Sequence, residues 1–422
     1  MHLVTIKILF FILASLISPN AYSQYTTSVI PITKDEATSL HKLARSFRLR
    51  SWDGEPYLLL DLEAPFTEKQ CSVITNTTDI PPCGLEEGCR FPLKCDNPSC
   101  QEAESYFNPT CPALNFTCEK CEVTSFNPVS NSCNVSLMTT DLFNAYLTDG
   151  RNPSLGPNQP FGYYEYVISC ASKLLVVSSP GNITGVAAFS WSGLAFPRKL
   201  SFLDSAEKLA LCLPGTTSGL GVTFLGDGPY YFTSDPNLDL GSVLSYTPMI
   251  RKSSKSLGYY IKINRISIKG ALISVPKSSS VKLSSRVPYT VLRSDIYNAL
   301  IAGFSKATVN IPKVPAVKPF GLCLKDSAIG LDGVPKIDLE TESGKVWSIS
   351  GENSMKRVGN GAACLAFVDG GSRVGDAIVM GTFQMEDNFL LFDLGNQKLG
   401  FSSSLLSRGT SCSKFNFTEV AS

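Results

Sequence analysis

The chain has 422 residues, with 37 Lys and Arg against 36 Asp and Glu, two His and a hydrophobic share of 43%. A formal charge of +1 excludes the basic footprint of a nucleic-acid binder or of a protein held electrostatically to an anionic membrane. The length suffices for one large domain or two lobes around a substantial core.

The first 23 residues carry a single Lys7, an apolar run from Ile8 to Ile17 and small residues at Ala21-Tyr22-Ser23, the pattern of a secretory signal peptide. That run is well under the ~20 residues a spanning helix needs. Removing residues 1–23 leaves 399, beginning at Gln24. A strand is predicted at Tyr57–Leu62, where β-branched and aromatic residues stand between Gly, Pro and acidic residues. Next comes a cluster of eight of the fourteen cysteines: Cys83, Cys89, Cys95, Cys100, Cys111, Cys118, Cys121 and Cys133. An even count in a secreted chain favours seven disulfides over a zinc site, although Cys118-Glu119-Lys120-Cys121 has metal-like spacing. Sequons at Asn76, Asn115, Asn134, Asn182 and Asn416 mark candidate glycosylation positions and suit the same compartment.

Further strands are predicted at Tyr164–Ser169, Lys173–Val177, Tyr259–Ser267 and Ala377–Met380, the third alternating apolar and polar residues for most of its length. Helical signals are few. Ser201–Leu211 could be capped by Asp204 with Leu203, Leu209 and Leu211 inward, and Ser294–Phe304 offers an apolar face of Ile296, Leu300, Ile301 and Phe304. The polar C-terminus, Ser411 to Ser422, carries no lipid-anchor signal. An all-β body with short helices results.

Cys364-Leu365-Ala366-Phe367-Val368-Asp369-Gly370-Gly371, Ile378-Val379-Met380-Gly381, Phe392-Asp393-Leu394 and Leu399-Gly400-Phe401 closely resemble the C-terminal part of pepsin-like proteins. Val287-Pro288-Tyr289-Thr290-Val291-Leu292, Phe320-Gly321-Leu322-Cys323 and the start Pro31-Ile32-Thr33-Lys34-Asp35 narrow the resemblance. They are similar to the plant subgroup of extracellular dermal glycoproteins, xylanase and xyloglucanase inhibitors and seed basic globulins, from about Pro31 to Phe417. The resemblance implies a two-lobed fold of the aspartic-protease type, with an N-terminal lobe at 24–205 holding the cysteine cluster and a C-terminal lobe at 206–422. It also implies the pairs Cys71–Cys170, Cys212–Cys412 and Cys323–Cys364.

Catalysis on this fold needs two aspartates sharing a proton, each in Asp-Thr/Ser-Gly. By the resemblance those positions hold Asp61-Leu62-Glu63 and Ser284-Ser285-Arg286. Asp61 survives without its hydroxyl neighbour or its glycine, and Ser284 stands in for the second carboxylate. A serine nucleophile lacks a base, since His41 is the one histidine beyond the signal. The substrate-covering hairpin, sought between Cys133 and Asp149, reads as truncated: fifteen residues without glycine. In the first lobe, Gly185–Ser190 lacks the apolar-apolar-Gly ending that Met380-Gly381 keeps.

The function so implied is that of a secreted, catalytically inactive monomer of the apoplast or cell wall. It would bind and inhibit microbial glycoside hydrolases in plant defence, without cofactor, metal, nucleic acid or membrane. Enzyme-blocking loops in relatives correspond to Asn310–Lys318, with Lys313, and to Gly370–Asp376, with Arg373. A long cation suits a glycosidase cleft because paired carboxylates line it. A storage or peptide-binding glycoprotein and an aspartic endopeptidase are the alternatives.

Overall fold

Side chains that alternate between two faces every residue make a strand wherever one face can be buried. Tyr259–Ile268 is such a strand, with Tyr259, Ile261, Ile263, Ile266 and Ile268 in the core. A computed structural model describes residues 27–44, 58–71, 91–155 (except 107, 109 and 113–118), 162–171, 183–199 and 207–421 (except 254, 277–278, 331–332 and 419). The signal segment, Asn76, Asn115, Asn182, Cys83, Cys89, Cys118 and the Lys173–Val177 strand lie outside the described residues.

One antiparallel sheet ties the two lobes together. Thr27–Lys34 pairs with Leu220–Leu225, which pairs with Lys208–Cys212. The ladder continues through Phe389–Asp393, Lys398–Phe401 and Ser245–Ile250. On this sheet Phe224 packs against Tyr230 and Phe415 at ring-centroid distances of 5.1 Å. Each such ring removes about 150–250 Å² from water, which helps to hold these segments together.

The expected helix at Ser201–Leu211 is corrected at its C-terminal end: Lys208–Cys212 is a strand, and residues 201–206 are outside the described set. The two faces of this strand pack into different clusters, Leu209 and Leu211 among residues that include Ile30 and Phe392, and Ala210 and Cys212 among residues that include Val29 and Phe389, so all four are buried. A strand covered on both sides shows an apolar run instead of alternation, so periodicity does not separate it from a helix. The helix predicted at Ser294–Phe304 runs Ser294–Ala307 and buries Ile296, Tyr297, Leu300 and Phe304. Its cap position is Arg293, and Ser294 Oγ instead donates to Asp369 Oδ1 at 2.7 Å.

A four-strand motif occurs twice. In the first lobe Leu58–Asp61 runs parallel to Gly185–Ala188, which lies antiparallel to Thr67–Gln70, which in turn runs parallel to Gly162–Ala171. In the second lobe Ser279–Leu283, Ile378–Met380, Thr290–Leu292 and Phe367–Asp369 repeat the same relations in the same order. The register matches as well: Ala188 N–H donates to Thr67 Oγ1 at 3.1 Å, and Gly381 N–H to Thr290 Oγ1 at 3.2 Å. Asp61 and Ser284 therefore occupy corresponding points of a repeated unit. A Cβ at Gly381 would meet the Tyr289 backbone at 2.5 Å, which explains why the second copy keeps its glycine.

Five disulfides join described residues: Cys71–Cys170, Cys100–Cys121, Cys111–Cys133, Cys212–Cys412 and Cys323–Cys364. Cys100, Glu104 and Cys121 group closely enough to suggest a metal. The two sulfurs are bonded to each other, so no thiolate is left to bind zinc.

Candidate functional site

The two motif copies meet where Asp61-Leu62-Glu63 faces Ser284-Ser285-Arg286. The Asp61 carboxylate is 1% exposed, and its Oδ1 accepts the Glu63 N–H at 2.8 Å. Glu63 thus still supplies the main-chain donor that a glycine would. Leu62 N–H donates across the lobes to Ser285 Oγ at 2.9 Å. A leucine at 62 cannot return that bond, so one half of a reciprocal hydroxyl bridge remains.

Where a second carboxylate would face Asp61, the structure puts a guanidinium. Arg286 Nε–H is shared between Asp61 Oδ1 and Oδ2 at 3.0 and 2.9 Å. Glu63 completes the network: Lys282 Nζ lies 2.5 Å from its Oε2, and Ser284 Oγ–H donates to its Oε1 at 2.5 Å. Ser284 is a buried donor tied to a carboxylate, with no described histidine beside it. His41 lies elsewhere, its Nε2 3.1 Å from the Pro214 carbonyl.

Burial raises the Asp61 carboxyl above its ordinary range, opposed by Arg286 and reinforced by Glu63. Burial acts the same way on Glu63, but Arg286 and Lys282 outweigh it and hold that carboxyl low. Burial pulls the Arg286 guanidinium down, and Asp61 with Glu63 more than restores it. Two like charges sharing one proton are the basis of the hydrolytic pair. Here opposite charges, Arg286 against Asp61 and Glu63, stand in place of such a pair.

The covering hairpin corrects the sequence reading. Ser132–Thr148, expected to hold a shortened hairpin, is one long strand paired with Gly162–Ala171. The hairpin lies earlier, between Glu122–Asn127 and the start of that strand, with its turn at residues 128–131. Its Phe126 ring lies 5.4 Å from the Arg286 guanidinium. Phe126 N–H bonds both oxygens of Glu68, at 3.1 and 3.2 Å, and burial pushes that carboxyl up to about 8. A cleft of about 520 Å³ remains between this roof and the ion network, lined by Phe66, Tyr106, Phe126, Tyr260, Lys255 and Arg286 among others.

Lys313 and Arg373 stand apart from that floor. Lys313 is exposed on the two-residue strand Lys313–Val314, which pairs with Cys323–Lys325 at the edge of a separate four-stranded sheet. Arg373 is exposed in the turn between Phe367–Asp369 and Ile378–Met380. That turn reaches the cleft through Asp376, which pairs with Lys252 and lies 3.9 Å from Lys282. Neither Lys313 nor Arg373 forms an ion pair with another described residue. Asn134 and Asn416 are half-buried, Asn134 opposite Ser125 in the hairpin.

Sequence reasoning missed a second interlobe cluster. Lys34 Nζ lies 2.7 Å from Glu386 Oε1, with His41 Nε2 3.8 Å from the same oxygen. Burial pushes Glu386 up to about 7 against the pull of Lys34, and it depresses His41 to about 3. Lys34 and Glu386 are 352 positions apart, and no local pattern announces their meeting. The Glu63–Arg286 compensation did leave a signal: opposite charges at the two glycine positions of a repeated motif.

Comparison with known proteins agrees with this architecture. Residues 48–227 match the family model described as xylanase inhibitor N-terminal, and residues 258–403 match xylanase inhibitor C-terminal. The chain is 33% identical over 417 residues to the rice (Oryza sativa subsp. japonica) protein named chitinase CLP, spanning 93% of this chain and 92% of that one. It is 33% identical over 405 residues to gamma conglutin 1 of Prunus dulcis, spanning 92% and 89%. The crystal structure of edgp superposes with a TM-score of 0.78 at 28% identity, over 94% of this chain and 99% of that one.

Proposed function

Because the chain belongs to the xylanase-inhibitor family of pepsin-like proteins, we propose that it is a catalytically silent recognition protein. It acts outside the cell, as an inhibitor of microbial glycoside hydrolases of the xylanase or xyloglucan-endoglucanase type. The observation that carries the reading is Arg286 bound to Asp61 at the point where hydrolysis needs a second carboxylate. A fold that keeps both lobes and neutralises its catalytic centre offers surfaces, not chemistry. The names of its relatives, a chitinase and a gamma conglutin, do not agree on an activity, so the site has to decide.

The inhibitory contacts fall to the loops carrying Lys313 and Arg373. Both are exposed cations without a carboxylate partner among the described residues, and a glycosidase cleft presents two carboxylates that such a group can engage. Among the described residues no helix is long and apolar enough to cross a membrane. The test is inhibition of purified xylanases and xyloglucan endoglucanases, comparing Lys313→Ala and Arg373→Ala with Lys262→Ala. Lys262 already pairs with Glu342 at 3.4 Å on the surface. A desolvated loop cation contributes about 2–5 kcal/mol, so one loop variant should weaken inhibition roughly thirty-fold or more. Equal, small changes in all three would remove these loops from the interface, and failure to inhibit any such enzyme would favour a storage role.

A further inference from the structure

We propose that the cleft beneath the Glu122–Asn127/Ser132–Thr148 hairpin is a binding site for a short, neutral oligosaccharide. Loss of the catalytic pair did not fill this space. About 520 Å³ is still open, within the ~300–1,000 Å³ of small-molecule sites.

Charge balance excludes most alternatives. Asp61 is met by Arg286, Glu63 by Lys282 and Arg286, and Asp376 at the rim by Lys252 and Lys282. Lys255, Glu68 and Glu104 also line the cleft, so its lining sets three acidic side chains, Glu63, Glu68 and Glu104, against three basic ones, Lys255, Lys282 and Arg286, and a charged ligand that engaged the floor would have to break one of the pairs there. A neutral ligand disturbs none of them.

The roof argues against an extended peptide. Peptides dock in clefts by pairing their main chain with free main-chain groups. The Phe126 N–H is already given to Glu68. The hairpin is also fastened: Cys133 is joined to Cys111 at the cleft wall, and Cys121 at its base is joined to Cys100. What the cleft offers instead are side chains. The half-buried rings of Tyr106 and Phe126 line it, with Tyr260 opposite on the other lobe. Arg286 spends its Nε–H on Asp61, and its nearer terminal nitrogen stands 3.7 Å from Glu63, beyond hydrogen-bond reach. Its terminal N–H groups keep their donors in a planar fork. Ring faces accept the apolar C–H face of a sugar, and a planar fork of donors fits adjacent hydroxyls.

The proposal does not rest on the inhibitor reading, and the two fail separately. Calorimetric titration of the full-length protein with neutral β-linked oligomers of glucose, xylose and N-acetylglucosamine should show saturable binding of at least one series at millimolar concentration or below. Phe126→Ala and Tyr106→Ala should each weaken that binding ten-fold or more. Lys356→Ala, in a separate groove beside Phe383, should leave it unchanged. Melting curves establish that each variant folds; if Phe126→Ala does not, Tyr106→Ala decides. The proposal is overturned if no series saturates, if binding persists unchanged in the folded ring variants, or if an unstructured peptide displaces the sugar from the cleft.

Discussion

Arg286→Met is the perturbation that tests the site most directly. Met keeps much of the volume and removes the charge, so Asp61, 1% exposed, and Glu63, 10% exposed, lose their shared cation. Glu63 retains Lys282, whereas Asp61 has no other described cation. Breaking a buried pair from one side costs about 3–5 kcal/mol, and with Arg286 itself 23% exposed the lower end is expected, about 3 kcal/mol. The sign with pH follows from the carboxyls. Without Arg286 the Asp61 carboxyl rises further above its unfolded value. A raised carboxyl is harmless below its unfolded pKa and destabilises as pH rises through the folded one. The deficit should therefore be greatest at neutral pH and shrink toward pH 4. Urea unfolding followed by tryptophan fluorescence, at matched m-values, reads it. Asp61→Asn in the Arg286→Met background should recover most of the loss, since exchanging both partners removes the orphaned charge. A single-variant cost below about 1 kcal/mol, or one independent of pH, would refute the claim that this network replaces the catalytic pair.

Denatured globin should survive the protein at acidic pH, and Asp61→Ala should leave every measured activity unchanged; pepstatin-sensitive cleavage abolished by Asp61→Ala would show a working protease. Stability should rise as pH falls from about 8 toward 5, because burial raises Glu68 to about 8 and Glu386 to about 7, each contributing about 1.4 kcal/mol per unit over the interval between its unfolded and folded values. His41, depressed to about 3, acts oppositely below about pH 6.5, so Glu68→Gln should flatten the alkaline side and His41→Gln the acid side of a melting-temperature profile. Removing Cys212–Cys412, which closes 200 residues, should lower stability by up to about 5 kcal/mol in the chain-entropy account, more than removing Cys323–Cys364, which closes 41. Denaturation of the paired Cys→Ser variants gives the order, and the reverse order would count against it.

Much of the architecture was legible because the chain repeats one device. Segments ending before Asp61 and Ser284, each followed by a threonine-bearing strand at Thr67 and Thr290, are the two copies of the four-strand motif; strand signals marked Leu58–Asp61, Gly162–Ala171 and Ile378–Met380, whereas short members such as Thr67–Gln70, Thr290–Leu292 and Phe367–Asp369 carry too few residues to show a period. The strand at Lys208–Cys212 was not legible, because each of its faces packs into an apolar cluster, which erases the period. The hairpin was misplaced for a different reason. A glycine-poor stretch looked too short to fold back, yet Ser132–Thr148 never folds back; it runs straight against Gly162–Ala171 for nine residue pairs, and the turn falls at Pro128-Val129-Ser130-Asn131. Asn131 takes the positive φ, +54°, that a glycine would otherwise supply.

The two lost glycines are better understood together than apart. Glu63 alone would add a largely buried negative charge beside Asp61, and Arg286 alone would add a cation with Asp61 as its main partner there. Either change by itself perturbs a buried site whose uncompensated charges cost several kcal/mol, a large share of the ~5–15 kcal/mol that stabilises a domain. Present together, and joined by Lys282 and Ser284, they form a closed set across the lobe boundary. The same contacts that neutralise Asp61 therefore also hold the two motif copies in register, as the shared hydroxyl bridge does in part through Leu62 and Ser285. Reverting the dyad would require more than an aspartate at 284: with Arg286 and Glu63 in place, a carboxylate there would meet Glu63 at the distance Ser284 now bridges with a hydrogen bond, and repulsion would replace it. Ser284→Asp is accordingly expected to destabilise the protein without creating protease activity, and activity appearing in that single variant would show that the charge network is no barrier to the chemistry.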